Sequence, residues 1–402
     1  MPELLPFRAW RYAPDHALID VTAPPYDVLS QSDVEGLARD PRNIVHVDVP
    51  TQTPEGYAGA AATLRQWMAD GTLVRDDTPT LTLYRLSFTD ATGAARQIIG
   101  VLGALPVMDY PTPDAARTGT AVLPHEHVTA KASTDRLDLT RATGANLSPV
   151  WGLSLAAGLA GVLTDAWQAA LHAGAVPASL AEDGVTHEVV PIRDERTIAG
   201  IIEVLTRADV LIADGHHRYG VAQRYLAETG AVAGSPASRT LAFVNELVDD
   251  QLSVEAIHRV YDGVTLERLI EVLTRYFELT PAPAPTPATL ADMVRLGRLV
   301  LLAPDGAATW LTPRPGAFDD VRALDGARLE HALAGVDDLS VGYQHGLAEA
   351  LAAAPNHAAV ILIRPTSIDE IRRTATEALL MPPKSTFFTP KLRTGLVIRT
   401  LD

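Results

Sequence analysis

The densest group of chemically capable side chains is Asp214-Gly215-His216-His217-Arg218, which follows the apolar run Val210-Leu211-Ile212-Ala213. A buried strand that ends in a polar turn and opens a helix is where α/β sheets bind ligands, and a helix N-terminus attracts anions. Gly215 lets the backbone approach a ligand closely. Asp214 could hold Mg²⁺ or accept a hydroxyl proton, and His216 or His217 could donate to phosphate or act as acid/base partners. Arg218 could grip phosphate oxygens through a bidentate fork. Each residue taken singly is equally well read as a helix cap or a solvated helix face. The four together at one strand–helix turn favour a site. Paired histidines also suggest zinc, but the spacing of a helical zinc motif is absent, and zinc is the weaker reading.

A second cluster lies in Met381-Pro382-Pro383-Lys384-Ser385-Thr386-Phe387-Phe388-Thr389-Pro390-Lys391-Leu392-Arg393. Cations and hydroxyls between rigid prolines, within an acidic chain, suit a phosphate held by charge-assisted hydrogen bonds. Lys384, Ser385, Thr386 and Lys391 join Arg218 as expected phosphate ligands, against the plainer reading of a solvated basic tail. No glycine-rich stretch precedes Lys384, so this is not a Walker loop. A third segment, His125 to Arg136, offers His125, Glu126, Lys131 and Arg136 for a metal or phosphate site; a charged helix face with internal ion pairs is an even alternative. Tyr26 and Asp27, in Pro24-Pro25-Tyr26-Asp27, form a rigid turn more often structural than functional. Tyr343 and His345 read as ordinary core or surface residues.

Composition limits the chemistry. The chain has 402 residues, no cysteine, 47% hydrophobic and 20% charged residues, and a net charge of -16. Such a chain is globular and long enough for two or three domains. Thiolate metal sites, disulfides and cysteine nucleophiles are excluded. The acidic balance argues against nucleic acid as partner. The N-terminus lacks the pattern of a signal peptide, and the longest apolar stretch, near Val150 to Leu163, is too short to span a bilayer. A cytoplasmic protein with no membrane partner is expected. The oligomeric state is not written in the sequence.

The elements that must position these residues read as follows. Helical spacing runs from Pro54 to Ala69, and a hairpin joins Leu81–Phe88 to Gln97–Val107. Val150 to Leu163 is a buried strand leading into a helix. Val185–Ile192 is a strand, Asp194–Arg207 a helix, Asp209–Ala213 a buried strand, Arg218–Glu228 a helix closed by Gly230, and Ser238–Leu247 a strand. The proline-rich run 279–287 is a stiff surface connection. A hairpin follows near Arg298–Leu311, then helices near Ala327 and Gly346, a strand at Ala358–Ile363, and a helix capped by Thr366 or Ser367. The expected fold is a mixed α/β (α+β) arrangement with mixed sheets. It divides into an N-terminal domain over 1–190 and a C-terminal domain over 191–402, which share one composite site.

Taken in order, Ala23-Pro24-Pro25-Tyr26-Asp27-Val28, His125-Glu126 with Lys131 and Asp135-Arg136, Ala213-Asp214-Gly215-His216-His217-Arg218-Tyr219, and Met381-Pro382-Pro383-Lys384-Ser385-Thr386 with Lys391 resemble a bacterial and archaeal family, the domain-of-unknown-function 1015 family. The resemblance covers nearly the whole chain. It implies a pyrophosphate-dependent kinase of free L-serine that forms O-phosphoserine. The Asp-Gly-His-His-Arg string also resembles that of nucleotide-dependent free-serine kinases with a ParB/sulfiredoxin-like fold, which implies such an element around this loop. By that resemblance Asp214, His216, His217 and Arg218 belong to a phosphoryl-transfer site. An ATP- or ADP-dependent small-molecule kinase and a non-catalytic phosphate- or nucleotide-binding regulator are the alternatives. The general base is not identified by the resemblance.

Overall fold

Side chains of a strand point alternately to its two faces. Along Leu81–Thr89 (β1) and Ala95–Pro106 (β2) this puts Leu83 and Val101 on one face and Tyr84, Leu86, Ile98 and Leu102 on the other. The computed structural model describes residues 2–90, 93–111, 120–126, 133–377, 379–382 and 384–402, with the backbone alone at 133 and 134. In it the two strands form the expected antiparallel hairpin. They lie inside an eight-stranded sheet completed by Val122–Leu123 (β3), Val150–Ser154 (β4), Ala178–Glu182 (β5), Val185–Ile192 (β6), Val210–Asp214 (β7) and Arg239–Glu246 (β8). The order is β3-β7-β4-β8-β2-β1-β6-β5. β3 runs parallel to β7 and β8 parallel to β4, while the remaining pairs are antiparallel, so the sheet is mixed as expected.

Both faces of this sheet are covered. Helices Leu159–His172 (α1) and Glu195–Leu205 (α2) place Leu163, Trp167, Ile201 and Leu205 against Val101, Val210 and Ile212. On the opposite face lie Ile371, Met381, Phe388 and Leu392, packed on Trp151, Leu211, Ala213 and Phe243. This second layer carries the C-terminal segment across the end of β7. Phe388 is 1% exposed, with its ring 5.8 Å from Trp151. β7 is followed by helix His216–Thr229 (α3), closed by Gly230 in the left-handed region.

The second sheet is antiparallel throughout. Its strands are Ile257–Asp262 (β9), Phe277–Ala282 (β10), Leu299–Leu302 (β11), Ala308–Pro313 (β12), Ser340–His345 (β13) and Ala359–Leu362 (β14). Their order is β10-β12-β11-β14-β9-β13. Helices Leu266–Leu273 (α4) and Asp325–Leu333 (α5) cover one face through Leu269, Leu273, Leu329 and Leu333. Helix Ile368–Thr376 starts at the Ser367 cap, whose hydroxyl accepts from the Glu370 amide.

Two expectations need correction. The chain does not divide at residues 190/191. β7 and β8, from beyond that point, sit between β3, β4 and β2 of the same sheet, and the second sheet begins only at Ile257. Strand order is set by non-local pairing, which local sequence patterns do not encode. The proline-rich run is also not all connection: Pro281 lies in β10, an edge strand, and Pro287 opens helix Pro287–Leu296. An edge strand has one bonded neighbour, so an imino acid facing outward breaks no ladder bond. No helix among the described residues is long and apolar enough to cross a membrane.

Candidate functional site

The parallel pair β3 and β7 explains why two distant motifs meet. Parallel strands side by side end at the same edge, so His125-Glu126 emerges from β3 next to Asp214 at the end of β7. Register with β4 shifts between Ile212 and Asp214, and such a bulge re-aims the side chain that follows it. Gly215 then turns the chain with φ 82°, a conformation that glycine adopts without cost. A Cβ there would stand 2.9 Å from Nε of Arg218, so the glycine also makes room for the guanidinium.

Asp214 is held by two cations. Lys391 Nζ donates to Oδ1 at 2.7 Å and Arg218 Nη2 to Oδ2 at 2.6 Å. Burial alone would push this carboxyl up, but Lys391 and Arg218 outweigh burial and hold it well below the usual carboxylate range. Asp214 is therefore ionised and occupied on both oxygens, which suits a cation-positioning role and not the general base that its sequence position suggests. Arg218 also donates to the Pro149 carbonyl. Lys391 stands 4.4 Å above the Phe387 ring.

His125 is fully buried, and desolvation lowers its pKa to about 4. Its Nδ1 lies 2.5 Å from the Ile212 carbonyl. A carbonyl only accepts, so Nδ1 carries the proton and Nε2 accepts from the Thr386 hydroxyl at 2.7 Å. This bond ties the C-terminal loop to β7. His216 is buried beside it, ring centroids 4.7 Å apart; desolvation, then His125, pushes its pKa far down, and among the described residues its Nε2 has no partner. Both imidazoles are neutral near pH 7. His217 is half-buried.

Glu126 is the group the sequence left without a definite role. Its Oε2 is buried and has no partner among the described residues, 3.9 Å from the neutral His125 Nε2. Burial raises its pKa to about 7, resisted by the Ser385 amide and Lys384, assisted by Asp214, and resisted again by Lys391. The same interactions record how close the three motifs come: Glu126 feels Lys384, Asp214 and Lys391 together. Lys384 is exposed and takes φ 59°, unusual for a side chain other than glycine. Its carbonyl accepts from Arg259 Nη1 at 3.2 Å.

Ser385 and Thr386 differ from expectation. Both are buried, and their hydroxyls donate to the Pro382 carbonyl at 2.7 Å and to His125, respectively. They shape the loop from within, because hydroxyls facing a packed interior satisfy themselves locally. Lys131 lies outside the described residues. His345 reads from the sequence as an ordinary core or surface residue, yet its ring stacks on Phe387 at 4.0 Å, and among the described residues its Nδ1 has no partner. Burial, then Lys384 and Lys391, lowers its pKa. The Phe-Phe pair beside the lysines was the available signal.

A second wall surrounds Arg218. Arg136 lies 4.0 Å over the Tyr26 ring, pairs with Asp135 at 2.9 Å and donates to the Asp48 carbonyl at 2.7 Å. Tyr26, Asp48, Arg136 and Arg218 line one pocket, and the Asp27 charge acts on Tyr26, Asp48 and Arg218. The Pro-Pro-Tyr-Asp turn thus joins the site through Arg218. Asp48, buried and 3% exposed, was not singled out, since a lone aspartate carries no pattern.

The metal reading of Asp214 does not fit this arrangement. A magnesium ion bound directly to Asp214 would take the place of Lys391 on Oδ1 or of Arg218 on Oδ2.

Solved structures of similar shape include a conserved hypothetical protein from Pyrococcus furiosus, 13% identical over 68% of this chain and 92% of the other, TM-score 0.36. A free serine kinase in complex with ADP is 14% identical over 72% of this chain and 97% of its own, TM-score 0.37. SbnI with a C-terminal truncation, from Staphylococcus aureus, is 12% identical over 74% and 87%, TM-score 0.39. Likeness at this level bears on neither substrate nor mechanism. No curated protein matches the chain. The family model described as "Protein of unknown function (DUF1015)" matches residues 4–327, and the chain belongs to that family.

Proposed function

We propose that the protein is a phosphotransferase that moves a phosphoryl group from pyrophosphate to the hydroxyl of free L-serine, giving O-phosphoserine. The observation that carries this reading is Glu126: a carboxylate with a buried oxygen that has no partner among the described residues and a pKa near 7, facing two lysines. A base poised near the working pH is what proton removal from an alcohol requires. Beside it, α3 has no side-chain cap, and the first amides of a helix have no intrahelical acceptors. Those amides, Arg218, Lys384 and Lys391 form a cradle for anionic oxygens. Phosphoryl transfer depends chiefly on such positioning and charge neutralisation.

In the step itself, Glu126 takes the proton from the serine hydroxyl as its oxygen bonds to phosphorus. The bond from that phosphorus to the bridging oxygen breaks, and inorganic phosphate leaves into the field of Lys384 and Arg218. Asp214 keeps Lys391 and Arg218 aimed at the site. His125, through Thr386, fixes the loop that bears Lys384. The donor and the acceptor are read from the family resemblance, the base and the cation cradle from the geometry.

Phosphorus NMR of the purified protein with L-serine and either pyrophosphate or ATP, with and without Mg²⁺, tests the reading. A phosphomonoester signal from pyrophosphate supports it. A signal only with ATP moves the donor to a nucleotide, and none with either donor removes serine phosphorylation.

A further inference from the structure

Behind the Lys384 loop, the second sheet contains a buried cation that feels the charges of Glu330 and Glu126 but pairs directly with no carboxylate among the described residues. Arg259 of β9 is 3% exposed. Its Nη1 donates to the Ile257 carbonyl at 2.6 Å and to the Lys384 carbonyl at 3.2 Å, but among the described residues Nη2 has no acceptor. A buried guanidinium nitrogen without an acceptor loses its hydration with nothing in exchange, so such groups call for an explanation. The surroundings make the case sharper. Nη2 packs on Gly326, in the first turn of α5, where a Cβ would stand 2.8 Å away. That helix end has no side-chain cap; its first residue, the buried Asp325, is turned to Arg364 at 2.6 Å, and the amides of the first turn attract an anion.

Arg259 also lines a pocket between α5 and the edge strand β13. Registered opposite each other on β9 and β13, Arg259 and Tyr343 share a face, with the guanidinium carbon 4.9 Å from the ring centroid. The other walls are apolar: Leu329 and Leu333 of α5, and Val341 of β13. Val341 and Tyr343 are 41% and 43% exposed, so the pocket opens at the sheet edge. Glu330 completes the lining and is exposed. An apolar cleft with one deep unpaired cation is built for a small apolar molecule bearing a single carboxylate.

We propose that this pocket is a second, regulatory ligand site for a small branched or aromatic carboxylate. The carboxylate meets Arg259 Nη2 and the first turn of α5, and the apolar body lies among Leu329, Leu333, Val341 and Tyr343. The same guanidinium holds the Lys384 carbonyl, so occupancy of the pocket is transmitted to the loop that carries the exposed lysine. Linkage makes the effect reciprocal: whatever the carboxylate does to anion affinity at the Lys384 loop, the anion does to carboxylate affinity. Two metabolite types present this chemistry, and Glu330 at the pocket wall separates them, because it favours an ammonium and repels a second negative charge.

Isothermal titration of the full chain with L-leucine, L-phenylalanine, 4-methyl-2-oxopentanoate and phenylpyruvate tests the site without reference to catalysis. Saturable binding of at least one probe is expected, weakened about tenfold by Tyr343→Ala, which removes an aromatic wall contributing about 1.4 kcal/mol. Tyr343 is an exposed edge-strand residue, so this variant is expected to fold; its circular dichroism spectrum checks that. Glu330→Gln distinguishes the sources: it weakens the amino acids and leaves the oxo acids unchanged or tighter. Repeating the titration in saturating pyrophosphate reads the coupling as a shift in the probe's Kd. Absence of saturable binding by all four probes overturns the site. Binding that Tyr343→Ala leaves unchanged overturns the location, and a Kd indifferent to pyrophosphate overturns the coupling to Lys384.

Discussion

Replacing Lys391 by methionine removes one of the two cations on Asp214 and preserves most of the side chain's apolar contact with Phe387. The lost contact is the 2.7 Å bond from Nζ to Oδ1, between side chains only 15% and 21% exposed. Stripping a buried ion of its partner costs about 3–5 kcal/mol. Arg218 remains on the other oxygen, so about 2–3 kcal/mol is the expected loss near pH 7. The pH dependence identifies the cause. Asp214 has a depressed folded-state pKa, so the stability it contributes is present above the ordinary carboxyl value and lost as pH falls through the folded value. With Lys391 gone that depression shrinks but does not vanish, so the gap between wild type and variant narrows as pH falls through the variant's folded value, which Arg218 still holds below the ordinary carboxyl value of about 4. Thermal unfolding of both proteins at several pH values from about 7 to about 2 measures the gap directly. A gap that stays constant over the whole range would show that Lys391 acts by packing and would refute the ion-pair argument.

Other expectations follow from the same geometry. As a general base with a pKa near 7, Glu126 makes kcat/KM for serine phosphorylation rise through about pH 7 and then level, and a flat profile from pH 5 to 9 contradicts that role. Its folded pKa is raised, so its stabilising contribution is complete below the ordinary carboxyl value and is lost as pH rises toward 7. Glu126→Gln should therefore unfold at a higher temperature than wild type at pH 8, and a lower one would count against the unpartnered oxygen. Thr386→Val leaves the buried Nε2 of His125 without a donor and should cost about 1–3 kcal/mol in chemical denaturation. Gly215→Ala forces a side chain into the left-handed region against Arg218; about 1–2 kcal/mol of destabilisation is expected, with weaker binding of inorganic pyrophosphate by titration.

Much of the local structure was legible because its signals are local. The β1–β2 hairpin, the strand–turn–helix at Asp214 and the Gly230 stop each follow from period, turn chemistry and caps, and each is found within a few residues of its expected place. The arrangement of β7 and β8 among N-terminal strands was not legible, since pairing partners lie many residues apart. The roles within the site divided along the same line. Residue types announced Asp214, Arg218 and Lys391, yet whether a group is free to react depends on what faces it. Asp214 looked like a base and is occupied by two cations. Ser385 and Thr386 looked like phosphate ligands and are turned inward. Glu126 and His345 gained significance only when burial left their polar atoms without partners.

The most direct test of the central claim is the rate of O-phosphoserine formation from pyrophosphate and L-serine, measured side by side for wild type and Glu126→Gln. The account predicts steady product formation by the wild type and a loss of about 10²–10⁴-fold in the variant, the usual contribution of a positioned base. Equal rates would remove Glu126 from the chemistry, and no product from folded wild type would contradict the proposed reaction itself.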